Sequence, residues 1–123
     1  MDEYTPFVSI NSKKYRINIG SRILKLLGNP AYVTIYRNED LTSIAIGSCE
    51  ADNVMSFRTP IDREASIHHF TINSKQFISD VMLRNNLPVG RSYRINGTYL
   101  SEKNMVTFNM KEAVEISDNS VIE

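Results

Sequence analysis

A single cysteine, Cys49, occurs in the 123 residues, so no disulfide can form within the chain and a four-thiolate zinc site is excluded. Such sparing use of cysteine suits a reducing compartment. No run approaches the roughly 20 consecutive apolar residues that a membrane-spanning helix needs. The start, Met1-Asp2-Glu3-Tyr4-Thr5-Pro6, lacks the basic residues and apolar stretch of a secretory signal. A soluble, cytoplasmic protein with no membrane partner is therefore expected. Gly-rich phosphate loops, nucleophile elbows and paired-carboxylate motifs are also missing. Asp62 and Glu64 are close in sequence but fall in a linker-like stretch. His68 and His69 would point to opposite faces of a strand and cannot chelate one ion together. Neither an enzyme nor a bound cofactor or metal is expected. Asn96-Gly97-Thr98 fits the glycosylation acceptor, but without a secretory signal it reads as a turn.

What is present is ordinary in amount and uneven in arrangement. Hydrophobic residues make up 41% and charged residues 23%, as in a globular domain. With 14 basic and 14 acidic side chains the formal net charge is zero, which argues against a uniformly basic coat for DNA. Between Tyr4 and Asn38, however, lie Lys13, Lys14, Arg16, Arg22, Lys25 and Arg37 and no acid. Glu39 to Phe70 is acidic. Thr71 to Lys111 is basic again, with Arg91 and Arg94 in its middle, and the last residues from Glu112 are acidic. Alternating blocks of this kind can give a neutral protein one strongly positive face.

The chain length fits one compact domain, or two small halves sharing a core. Phe7 to Ile10 reads as a short strand and Asn11 to Lys14 as a polar turn. Tyr15, Ile17 and Ile19 then alternate with Arg16 and Asn18, the period of a half-buried strand. Ser21 is a candidate helix cap, Ile23, Leu24, Leu26 and Leu27 recur at helical spacing, and Gly28 with Pro30 closes the helix. Tyr32 to Tyr36 and Ser43 to Ile46 form a hairpin around Asn38-Glu39-Asp40. Residues 51–65 read as a linker, with a short strand near Val54 to Phe57. A second strand follows from Ile67 to Ile72, and Asn73 with Gln76 resembles a capping box. Phe77, Ile78, Val81 and Met82 mark a second helix. Tyr93-Arg94-Ile95, a tight turn at Asn96-Gly97 and Met105 to Met110 complete the pattern, and the acidic tail from Glu112 is expected to fray. The order strand, polar break, short helix, hairpin thus occurs twice, in residues 1–50 and 66–116, with an acidic tail at 117–123. The expected class is α+β, strand-dominated.

Arg16 to Gly28 resembles the signature segment of the AbrB-type swapped-hairpin regulators, which include the MraZ and antitoxin branches. Arg16-Ile17-Asn18-Ile19 is similar to their Arg-led strand, Ile23 to Lys25 to the helix, and Leu27-Gly28 to its end. Gly20 stands where that family usually has proline. The resemblance covers about a third of the chain, and its motif is mostly hydrophobic pattern. It implies a small barrel of two interleaved strand–helix–hairpin units, which one-unit members complete by forming a homodimer. It also implies a DNA-binding transcriptional regulator, with Arg16 as the position matched by motif.

Arg22 and Lys25 on the helix, and Lys13 and Lys14 in the turn before the strand, are further nucleic-acid-binding candidates. Arg91 and Arg94, beside Tyr93 and Tyr99, form a second candidate surface. Clustered cations neutralise phosphates and release counterions. The same residues also suit the solvated faces of strands and a helix. Another reading is a protein-binding inhibitor of a host nucleoprotein machine, of the phage or mobile-element, anti-CRISPR-like kind, meeting its partner through the acidic segments 50–64 and 112–123. A structural or assembly protein is a third.

Overall fold

The structure is a computed structural model, and it describes residues 5–51, 56–59 and 69–116. The strands are β1 (Phe7–Asn11), β2 (Arg16–Gly20), β3 (Tyr32–Arg37), β4 (Ser43–Ser48), β5 (Phe57–Arg58), β6 (His69–Asn73), β7 (Ser92–Leu100), β8 (Met105–Asn109) and β9 (Val114–Ile116). Helix α1 (Ser21–Leu26) follows β2, and α2 (Lys75–Arg84) follows β6. All pairings are antiparallel, and the strands run in the order β5-β3-β4-β8-β7-β1-β2-β6, with β9 beside β7. The sheet curls into a nearly closed barrel.

Alternation decides what fills it. Val8 and Ile10, Ile17 and Ile19, Tyr93 and Ile95, Val106 and Phe108 all point inward and are at most 2% exposed. Both helices cover this core, through Ile23 and Leu24 of α1 and Phe77, Ile78, Val81 and Met82 of α2. Removing such side chains from water contributes about 1.5–3 kcal/mol each.

Six of the eight pairings described have an exchange symmetry; β1–β2 and β7–β9 have no counterpart among the described residues. Replacing β1, β2, β3 and β4 by β5, β6, β7 and β8, and the reverse, turns the β1–β7 pairing into β5–β3 and the β3–β4 hairpin into β7–β8. It leaves β2–β6 and β4–β8 as they were. The centre of the β2–β6 pairing is Asn18 opposite Thr71. The exchange extends to side chains. Ser12, after β1, donates its backbone N–H (3.0 Å) and its hydroxyl (2.6 Å) to the Arg91 carbonyl. Thr59, after β5, donates its N–H to the Ala31 carbonyl (2.9 Å) and its hydroxyl to that of Pro30 (2.5 Å). Both hydroxyl residues are buried.

Several local expectations give way to contacts made elsewhere. Tyr15 is not in β2; it closes the preceding turn at φ 55°, and its carbonyl accepts from Ser74 N–H. Gly20 caps α1 with no side-chain bond, leaving Ser21 as the first helical residue rather than the cap. Gly28 does take the left-handed closing conformation, at φ 86°. At α2 the cap is Ser74, whose hydroxyl accepts from Phe77 N–H, while Gln76 turns to Asp80. The capping box read at Asn73 is absent because Asn73 still belongs to β6.

Asn96-Gly97 is no turn. β7 runs through it to Leu100, and the chain reverses at residues 101–104. The stretch read as a linker contains β5, and the acidic end beyond Glu112 includes β9, paired with β7. Val54, Asp62, Glu64, His68 and the tail at 117–123 lie outside the described residues.

Candidate nucleic-acid interface

The outer face of β6, β2, β1 and β7 is set by register. Arg16 pairs with Asn11 of β1 and Asn73 of β6. Arg94 pairs with Ser9 on the same β1 and with Val114 of β9. Because Ile17, Ile19, Tyr93 and Ile95 point inward, Arg16 and Arg94 both point outward, on one face, with β1 between them. Two strand spacings separate their strands, about 10 Å.

The positions between them are polar and uncharged. Thr71 Oγ1 donates to Asn18 Oδ1 at 2.7 Å, and Asn18 Nδ2 donates to Ser9 Oγ at 3.3 Å. Among the described residues no outward position of these four strands is Asp or Glu. The Arg94 guanidinium carbon lies 3.8 Å above the centre of the Phe7 ring, and Nε donates to Asn96 Oδ1 at 3.2 Å.

One end of this face carries more cations. Asn11 Oδ1 accepts from the N–H groups of Lys13 and Lys14 at 3.0 and 3.1 Å, an Asx turn that leaves both lysine side chains exposed. Ser12 then pins that turn to the loop before β7, accepting from Gly90 N–H and Arg91 N–H. Lys75, at the start of α2, reaches the same end, with Nζ 5.6 Å from the centre of the Tyr15 ring. Sequence reasoning missed Lys75; only the register of Asn73 against Arg16 brings it there.

The remaining candidates are placed differently. Arg91 pairs with Glu115 at 3.1 Å, both side chains about half exposed, so its charge is offset locally, a pairing worth about 0–1 kcal/mol. Arg22 and Lys25 lie on α1, which leaves β2 at its Gly20 end. Five strand residues, about 15 Å, separate that end from Lys13 and Lys14. The structure therefore gathers Lys13, Lys14, Arg16 and Arg94 and sets Arg22 and Lys25 apart. Of the acidic segments, most of 50–64 and of 112–123 falls outside the described residues, and Glu115 faces Arg91.

Behind this face Tyr93 is 2% exposed and donates its hydroxyl to the Pro88 carbonyl at 2.6 Å. Burial, and then the charge of Glu115, push its pKa above the ordinary 10.0. A raised folded-state pKa contributes stability that is intact below the unfolded value and lost as pH rises through the folded one. Urea midpoints should therefore fall above about pH 10, and more steeply for the wild type than for Tyr93→Phe.

In the β3–β4 turn, the Thr42 hydroxyl and then its N–H hold the Asp40 carboxyl below its usual range. Among the described residues no three His, Cys, Asp or Glu side chains cluster as metal ligands, and no helix is long and apolar enough to cross a membrane. No family model, no curated protein and no solved structure matches this chain.

Proposed function

We propose that this is a non-enzymatic DNA-binding protein that contacts phosphates through the outer face of β6, β2, β1 and β7. The observation that carries the reading is the placement of Arg16 and Arg94 on one face, whose outward strand positions hold no acid among the described residues, with Lys13 and Lys14 at its edge. Carboxylates among these cations would cancel the field that draws a phosphate chain, and among the described residues no outward position of these four strands carries one.

We further propose that the barrel is of the swapped-hairpin kind, built from two copies of one unit, and that a regulatory role would be exercised through this contact. In support, each hairpin tip reaches the helix of the other half. Asn85, at the end of α2, donates to the Leu41 carbonyl in the β3–β4 turn at 2.9 Å. Asn104, in the β7–β8 turn, donates to the Leu27 carbonyl at the end of α1 at 3.5 Å.

Fluorescence anisotropy with labelled mixed-sequence DNA tests the binding. Four phosphate contacts predict a log–log salt slope of about −2.8 to −3.6, so affinity should fall roughly 50- to 150-fold between 50 and 200 mM salt. Lys13→Ala/Lys14→Ala/Arg16→Ala/Arg94→Ala should flatten that slope, whereas Arg22→Ala/Lys25→Ala should leave it. Affinity and slope unchanged in the fourfold variant would remove the proposal.

A further inference from the structure

We infer that the nucleic acid taken by this face is an unpaired strand, with one base stacked on the guanidinium of Arg94; this rests on the binding proposed above and narrows it. A guanidinium carbon 3.8 Å over a ring centre is at the contact distance of parallel planes. The Nε bond to Asn96 holds the group in that plane. Arg94 is exposed; with one flat side of the guanidinium on the Phe7 ring, the other is the side left to stack on a base.

A duplex offers phosphates and base edges, because its base faces are covered by their neighbours. It would be met by the donor edge of an arginine, not by its flat side. An unpaired base offers the face that stacks on an arginine plane, which is how single strands are held on sheets.

The exchange symmetry points the same way. Two-fold proteins on duplex DNA place like residues on like half-sites. Here six of the strand pairings obey the exchange, and Arg94 and Arg16 do not. The counterpart of Arg94 in β3 is Thr34, which is 4% exposed, and the counterpart of Arg16 in β6 is His69. A ligand with no dyad of its own fits one charged half of a two-fold barrel.

The test compares a labelled mixed-sequence DNA strand of about 15 nucleotides, the same sequence as RNA, and the DNA duplex. The wild type should bind at least one of the two strands about tenfold or more tighter than the duplex. Arg94→Lys keeps the charge and loses the plane, and should weaken strand binding roughly 5- to 100-fold while changing duplex binding by no more than about twofold. Phe7→Leu, which removes the ring beneath the guanidinium, should lower strand binding in the same direction. Thermal melts of both variants guard against misfolding. A duplex bound as tightly as either strand, or Arg94→Lys matching the wild type on the strand, would overturn this inference and leave DNA binding standing. Binding to none of the three probes would overturn both.

Discussion

Gly97→Ala is expected to destabilise the barrel by about 1–3 kcal/mol, with Gly97→Val at or beyond the upper end. The reason lies across the sheet. Gly97 points into the barrel opposite Phe108, and a Cβ there would sit 2.5 Å from Phe108 Cε1, 2.8 Å from Val106 Cγ1 and 2.9 Å from Phe108 Cδ1. Phe108 is 1% exposed and Val106 fully buried, so neither has open space to move into and the ring or the strand must shift. Urea unfolding should show a lower midpoint at unchanged slope. Phe108→Leu placed in the Gly97→Ala background should cost less than Phe108→Leu alone, because the two positions share one volume. Additive effects would mean that the ring does not occupy the space the glycine leaves.

Ser12→Ala should cost about 1–2 kcal/mol by the same measurement, the penalty for leaving two part-buried donors without their acceptor. Its hydroxyl accepts from Gly90 N–H at 2.9 Å and Arg91 N–H at 3.0 Å while donating to the Arg91 carbonyl. That carbonyl keeps the Ser12 N–H in the variant, but the two N–H groups lose their acceptor. Thr59→Val is the informative counterpart. It conserves shape and leaves the Ala31 carbonyl its bond from Thr59 N–H, stranding only the Pro30 carbonyl. It should cost less than about 1 kcal/mol. Equal losses at the two sites would show that bulk, not hydrogen bonding, matters there.

Much of the barrel was legible because strands announce themselves locally. The alternation of Ile17 and Ile19 with Arg16 and Asn18, or of Val106 and Phe108 with Thr107, is written within a few residues, and both stretches are strands. The misread parts are those whose causes lie far along the chain. Asn-Gly at 96–97 is a strong local turn signal, yet the glycine is demanded by a phenylalanine on the next strand. The two residues of β5 carry no period of their own and are strands only because Tyr32 and Val33 face them.

The candidate site follows the same rule. Arg16 and Lys13 could be nominated from charge and position. Their company with Arg94, and the separation of Arg22 and Lys25, depend on β1 lying between β2 and β7, which no nearby residue encodes. Lys75 escaped notice for that reason too.

The clasp between Ser12 and Arg91 joins residues 79 apart. On a translating ribosome adding about 5–20 residues per second, the N-terminal hairpin therefore waits roughly 4–16 s before the strand that flanks it emerges. During that interval the edge of β1 is open to any extended peptide nearby. Early chaperone engagement, and refolding slow for a protein of this size, are the consequences of closing a barrel with its first strand against one of its last.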